Sequence, residues 1–461
     1  MRTTYLRTLC LLLVLMIAGM AGAQEKVVLT LQGSMELAFQ NNPSYQMAQK
    51  ELKKAKASVA ESYSAILPQV NATAALQHSW EIQESTIPNF IKLMFPPNYP
   101  GVSDMPDYVR IAFGLENTLS YGASLTQPLF LGGAGIAGIR MAGSAKRAME
   151  QNLESTKQKL IYDTANAFYG CLVAREVAKV QEEALAQAQE NYEMVEKKYN
   201  AGAASKFDLM RAKVNIANTR PDAITARNNY KTALTQLKMI LALPMGTEIE
   251  VDGSLEYAED DFTRLSLQEY QQMAQQNRPE VAALQEQKEI SKRSIAIARS
   301  AFLPKMFFQT DYSYLGMKSD LNFNNDDFSR GFTSAISLQL PLFSGMKNSK
   351  QYQKSKIDYN ITLDTEKQLT DGIAAEVEAV YNKFLEAQEK YQSANENVEL
   401  AAETFRLATM MYKEGTNTQL DVFTAQLGLT SARLNYLSSL YEYQLTRYAL
   451  RKVTGNLNSV I

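Results

Sequence analysis

Apolar and polar residues alternate one by one in four stretches of this chain. Val70, Ala72, Ala74, Leu76, His78 and Trp80 alternate with Asn71, Thr73, Ala75, Gln77 and Ser79. Met306, Phe308, Thr310, Tyr312 and Tyr314 alternate with Phe307, Gln309, Asp311 and Ser313, and the segments Ile111 to Leu125 and Phe332 to Leu340 behave similarly. A period of two predicts strands. The spacing predicts two hairpins, 68–127 and 304–341, with about ten residues per strand, the length a tilted membrane strand needs. Periodicity alone would equally suit edge hairpins of a soluble sheet.

Elsewhere the period is helical. Residues 133–200 and 345–413 contain no proline, which allows helices of about 70 residues, roughly 100 Å at 1.5 Å per residue. In the second stretch Ile373, Val377, Val380, Phe384, Ala387, Tyr391, Ala394, Val398, Ala401, Phe405, Ala408 and Tyr412 recur at alternating steps of four and three. That is a heptad seam, which predicts coiled-coil packing. The matching positions of the first stretch run from Leu160 through Thr164, Ala167, Cys171, Ala174 and Ala178 to Val195 and Tyr199. Many are small, so helices can approach closely.

Both seams end in the same signals. Gly202 is followed by Ser205-Lys206-Phe207-Asp208, and Gly415 by Thr418-Gln419-Leu420-Asp421. Glycine past a helix end stops it, and S/T-x-x-D caps a new one, so the chain turns back into return helices 206–242 and 419–455. A shorter helix from Pro43 to about Leu67, opened by proline and closed by Leu67-Pro68, supplies the remaining length, so that two shorter helices stacked end to end run beside one long helix. The Gly/Asp-containing stretch 245–262 reads as an irregular joint.

These matching patterns reflect a duplication. Leu31 to Leu76 aligns without gaps to Leu267 to Tyr312 at an offset of 236, and Pro128 to Leu241 aligns at an offset of 213 to the second half. The chain divides into a first repeat, 24–260, and a second, 261–461. The 23-residue difference in offset lies between the strands of the first hairpin, where Pro88, Pro96, Pro97, Pro100 and Pro106 are interleaved with Phe90, Phe95 and Tyr99. Proline at this density predicts an exposed loop over 82–107; its counterpart, about 316–330, is Asn/Asp-rich, as turns are.

Composition narrows the setting. Arg2 and Arg7, a short apolar run from Leu9, and Ala21-Gly22-Ala23 form a three-part secretory signal over 1–23, which predicts an exported chain. No downstream run reaches the roughly 18 apolar residues of a membrane helix, so membrane entry requires a closed β-barrel. Removing the signal leaves Cys171 as the single cysteine, on the seam, where it reads as a packing residue; no intrachain disulfide forms. A formal net charge of -2 offers nothing to nucleic acid, and lone His78 supplies neither a metal cluster nor a catalytic triad.

In order along the chain stand A-x-x-N-N/R-P at Ala38 to Pro43 and Ala274 to Pro279, Leu-Pro entries to strands, P-L-F exits at Pro128 and Pro341, and Y-x-x-G-x-x-x-x-x-D at Tyr199 to Asp208 and Tyr412 to Asp421. This duplicated order, over nearly the whole mature chain, resembles the TolC-like outer-membrane efflux proteins. The resemblance implies a mainly α fold with a membrane β-barrel. Long antiparallel helices would form a coiled-coil barrel in the periplasm, with four strands per chain and a homotrimer forming a 12-stranded barrel in the outer membrane of a Gram-negative bacterium. Four strands cannot close a barrel, and two chains would give eight, whose interior side chains fill, so three chains are the smallest set that leaves a pore.

The resemblance also assigns residues. Asp421 and Asp208, with Tyr412 and Tyr199, belong at the periplasmic entrance, where trimer symmetry gathers carboxylates that favour cations. An arginine and a second acid that commonly flank the aspartate are here Asn417 and Thr424. Helix capping is an equal reading of both aspartates, and seam packing of both tyrosines. Gly202, Ala203, Gly415 and Thr416 are the tips expected to dock a periplasmic adaptor that serves an inner-membrane transporter. Trp80, His78, Tyr312 and Tyr314 are candidates for an aromatic girdle at the membrane surface. The function expected is passive export without enzymatic activity or cofactor; the alternative is a coiled-coil scaffold or surface receptor without transport.

Overall fold

The computed structural model describes residues 27–96 and 99–460; the secretory signal read at 1–23 lies outside them. It divides into two units, one comprising residues up to 55, 146–287 and from 362 onward, the other 56–145 and 288–361.

The first unit is helical. Strand β1 (Val27–Leu29) is followed by helices α1 (Leu31–Asn41) and α2 (Pro43–Ser62), with Thr30 capping α1 through a bond from the Gly33 amide. β1 pairs in parallel with β6 (Ile249–Val251), within the stretch read as an irregular joint. Both strands have three residues, too short for a period of two to show. Their buried side chains Leu29, Ile249 and Val251 close a core with Ala38, Leu160, Phe168, Cys171, Leu172, Leu237 and Leu241. Cys171 is fully buried there, and burial pushes its thiol up to about 12. It is a packing residue, and an unreactive one.

A second core uses Tyr270 and Ala274 with Ile373, Val377, Phe384, Ala387, Tyr443, Leu450 and Val453. Tyr257, from the joint, stacks on Tyr391 and Tyr443 at 4.4 and 4.6 Å between ring centroids. A third joins the two halves of the sequence, with Met35, Ile161 and Ala165 packing on Tyr448 and Leu457.

The long helices are α4 (Ala134–Asn200) and α8 (Lys347–Lys413), of 67 residues each; their return helices are α5 (Lys206–Ile240) and α9 (Gln419–Val453), of 35 each. A one-turn helix, α3 (Phe90–Leu93), and two shorter helices, α6 (Leu267–Asn277) and α7 (Pro279–Ser300), complete the set. All twelve seam positions named above for α8 are buried or half-buried. In α4 the last of them, Tyr199, is 37% exposed. α4 also buries a second stripe, Ile161, Ala165, Phe168 and Leu172, because it packs against elements from both halves.

The second unit carries one antiparallel sheet of four strands, in order β2 (Gln69–His78), β5 (Asn117–Leu131), β7 (Lys305–Lys318) and β8 (Phe328–Gln339). The first hairpin runs past 127, because β5 continues through Pro128 to Leu131 across a register shift between Pro128 and Phe130. Proline cannot donate to a ladder, and a bulge at that point relieves the lost bond.

The stretch read as loop, 82–107, is more structured than its prolines suggested. β3 (Glu84–Pro88) pairs with β4 (Tyr108–Ala112), and α3 follows Asn89, whose side chain accepts from the Lys92 amide. Pro88 ends β3, where a missing donor costs nothing, and a Lys92–Asp107 ion pair at 2.7 Å closes the ribbon. The alternation read from Ile111 to Leu125 is therefore split between β4 and β5, with Gly114 at φ +122° between them.

Candidate functional site

The two helical turns are built alike. After α4, the amide of Gly202 donates to the Tyr199 carbonyl at 2.9 Å and that of Ala203 to the Lys198 carbonyl at 2.8 Å. After α8, Gly415 donates to Tyr412 at 3.2 Å and Thr416 to Met411 at 2.9 Å. These are paired Schellman bonds, and they require the left-handed backbone that Gly202 and Gly415 adopt at φ +74° and +80°. The residues read as tips thus occupy the two turns.

A capping box follows each. The Asp208 amide donates to Ser205 Oγ at 3.1 Å, while Ser205 N and Oγ donate to Asp208 Oδ2 at 3.3 and 2.6 Å. Asp421 repeats this with Thr418, whose amide donates to Asp421 Oδ2 at 3.1 Å and whose hydroxyl also donates to that oxygen. The Thr418 hydroxyl, then its amide, hold the Asp421 carboxyl below the usual carboxylate range. Asp421 is exposed and one oxygen carries all these bonds, so capping and a charge presented to solvent are compatible roles. Asn417 Oδ1 accepts from the Thr418 amide at 3.0 Å, and Thr424 Oγ1 donates to the Leu420 carbonyl at 2.9 Å. Both side chains are spent on the local turn.

The tyrosines part company. Tyr412 is 8% exposed, in a cluster with Val195, Ala212, Ala408 and Val422, whereas Tyr199 lies at the surface. Burial first, and then the Asp208 carboxylate, push the Tyr412 phenol above the ordinary tyrosine range. Lys198 Nζ donates to the Tyr412 carbonyl at 2.6 Å and stands 4.1 Å from the centroid of its ring. The structure therefore brings Tyr412, Asp208 and Lys198 together and leaves Tyr199 out. The sequence reading missed Lys198. Its only signal was a cation in the last turn of a long helix, and its repeat equivalent, Met411, gives no hint.

Two buried amides were missed as well. Asn215 Nδ2 faces Gln426 Oε1 at 3.5 Å, and Gln426 Nε2 donates to the Ala184 carbonyl at 3.0 Å, tying α5 and α9 to α4. Among the described residues, no group of His, Cys, Asp or Glu is placed to hold a metal, and no helix is long and apolar enough to cross a membrane.

In the sheet, register sorts side chains by chemistry. Ala74, Tyr121, Tyr314 and Arg330 are aligned across the four strands, as are Ala72, Ala123, Tyr312 and Phe332. With a period of two, that face carries Val70, Leu76, Leu119, Leu125, Phe308, Ile336 and Leu338 as well. The opposite face carries Asn71, Thr73, Gln77, Ser120, Ser124, Gln309, Asp311, Thr333 and Ser337, with Phe307, Leu315 and Met317 toward the two ends of β7. Val70, Leu76, Phe332, Ile336 and Leu338 are all exposed. An apolar sheet face normally packs on a second layer; this one is bare in the single chain.

The four candidate girdle aromatics do not lie at one level. His78 pairs with Asn117, itself opposite Lys318, whereas Tyr314 and Tyr312 are four and six residues further along β7, roughly 14 and 20 Å at 3.4 Å per residue. His78 Nδ1 is 2.7 Å from Asn117 Oδ1, and its ring meets Trp80 edge-on at 4.5 Å. Trp80 is 94% exposed. Tyr312 and Tyr314 form a separate pair, their hydroxyls 2.9 Å apart. Alternation assigned them to strands but could not set the stagger between strands.

Known proteins share this architecture. The chain is similar to the alkaline protease secretion protein AprF of Pseudomonas aeruginosa, 21% identical over 70% of this chain and 63% of that one. It is similar to the probable efflux pump outer membrane protein TtgC of Pseudomonas putida, 25% identical over 49% of this chain and 47% of that one. The matches thus span less than two thirds of either relative's length. Its fold is similar to that of the Campylobacter jejuni CmeC outer membrane channel, with a TM-score of 0.75 at 18% identity, over 93% of this chain and 86% of that one. The family described as outer membrane efflux protein matches residues 35–243 and 271–456. With that match covering most of its length, the chain belongs to the outer membrane efflux protein family.

Proposed function

We propose that this chain is one of three identical subunits of an outer-membrane export channel. The observation that carries the reading is the four-stranded sheet, whose register gathers mostly apolar side chains on one bare face and mostly polar ones on the other. Its outer strands, β2 and β8, leave both edges unpaired in the single chain. A lipid-facing barrel needs each of these features: an apolar outer face, a polar inner face, and edges that close on neighbouring chains. Twelve strands from three chains leave a lumen, where eight would fill with side chains.

In this reading the two halves are copies of one unit, supported by the equal lengths of α4 and α8 and of α5 and α9. The helices stand in the periplasm, and their turns at Gly202–Ala203 and Gly415–Thr416 meet a periplasmic adaptor coupled to an inner-membrane transporter. That transporter supplies the energy. The chain performs no chemistry, and solute passes down the lumen past Asp208 and Asp421. One relative is named for protease secretion and another for an efflux pump, so the same conduit suits a polypeptide or a small solute.

The test is purification in detergent, mass measurement, and reconstitution into planar bilayers. Three chains per particle and discrete conductance steps are expected. A folded particle that never conducts, with Asp208 and Asp421 intact or both changed to Ala, would instead favour a scaffold or receptor.

A further inference from the structure

We propose that Asp311 sets the ionic preference of the membrane segment, as a ring of three carboxylates halfway along the barrel wall; the proposal rests on the three-chain reading above. Asp311 is the only acid in the four paired strands. It is the seventh of the fourteen residues of β7, aligned with Ser124 of β5 and Thr333 of β8, on the polar face. Its side chain is exposed and makes no hydrogen bond or ion pair with the described residues, so nothing in the sheet's own structure uses its charge.

The setting magnifies that charge. Around Asp311 the polar face offers Gln309, Ser313, Ser124, Thr126 and Thr333, all neutral. The other formal charges on the four strands are Lys305, Lys318 and Arg330. Lys318 is drawn to Asp327 at 3.1 Å, and Arg330 shares the apolar face with its neighbour Tyr314. Lys305 shares the polar face but is the first residue of β7, six positions and roughly 20 Å along the strand from Asp311. At 0.1 M salt that separation is about two Debye lengths. Asp311 therefore dominates mid-barrel.

The duplication makes the feature single per chain. At the offset that aligns the strands, the first-copy equivalent of Asp311 is Ala75. Three carboxylates, four strands or roughly 19 Å apart along the wall, would then attract cations and delay anions at a level where the neighbouring side chains are hydroxyls and amides. The ligand class is a cation, trivalent more strongly than monovalent.

The experiment compares the wild-type trimer with Asp311→Asn and Asp311→Glu in planar bilayers, under a KCl gradient near 0.1 M and again at 1 M. Screening lengths are about 10 Å and 3 Å, so the contribution should appear only at the lower salt. Asp311→Asn is expected to lower the K+ over Cl- permeability ratio about twofold at low salt and to leave it unchanged at 1 M. Hexaamminecobalt(III) added on the extracellular side should block the wild type and Asp311→Glu about tenfold more tightly than Asp311→Asn. Block from the periplasmic side should follow Asp208 and Asp421 instead. Conducting Asp311→Asn channels with wild-type selectivity and extracellular block would overturn the proposal. Absence of channels in the wild type would overturn the three-chain reading beneath it.

Discussion

Lys198, at the end of one long helix, donates to the carbonyl of Tyr412 at the end of the other and covers its ring at 4.1 Å. This bond joins the first helical turn to the second within one chain. Asn417 carries no charge, and Lys198 is a cation that the structure sets across the two turns.

Lys198→Ala should loosen that join. Wild-type channels should rest at low conductance, and the variant should show a several-fold larger resting conductance in planar bilayers. A cation over a ring and a charged bond to a carbonyl together contribute on the order of 1–3 kcal/mol, enough to shift a closed population noticeably. Lys198→Arg should stay near wild type, and Tyr199→Ala should do little. Equal resting conductance in Lys198→Ala would remove the clasp.

The Asp421 carboxyl is held low because Thr418 donates twice to its charged form. A depressed carboxyl stabilises the fold above its ordinary value, and the contribution disappears as pH falls through the lowered one. Block of the wild type by hexaamminecobalt(III) from the periplasmic side should therefore persist below about pH 4, the ordinary aspartate range. In Thr418→Val it should fade at higher pH, and the lost cap should cost about 1 kcal/mol. Coincident pH profiles for the two would show that the capping box does not control this charge.

Gly455, just past α9, has φ +72°, and an added Cβ would sit 2.6 Å from the backbone carbonyl of Asn277. Gly455→Ala should destabilise the helical unit by roughly 1–3 kcal/mol, from left-handed strain plus the displaced α6 end. The check is the midpoint of thermal unfolding followed by helical circular dichroism. An unchanged midpoint would mean that the α6 end yields freely.

Much of the helical part is written locally in the sequence. Long proline-free seams, glycine at each stop and S/T-x-x-D at each start are signals within a few residues of the ends they mark, and α5 and α9 begin at Lys206 and Gln419 accordingly. What escaped is set by distant partners. The β1–β6 pair joins residues more than two hundred positions apart in strands of three. The stagger separating His78 from Tyr314 depends on how β5 meets β7. At the turns, the duplication made Tyr199 and Tyr412 look equivalent, but only Tyr412 meets a cation, because Lys198 has no counterpart in the second copy.

The central claim is that β8 crosses a membrane with its polar face on water. Single cysteines from Phe332 to Leu338, in a Cys171→Ala background, can be probed in reconstituted channels with a membrane-impermeant charged thiol reagent while conductance is recorded. Residues 333, 335 and 337 should react and reduce the current, while 332, 336 and 338 should stay silent. Uniform reactivity along the strand, or the opposite parity, would contradict the account.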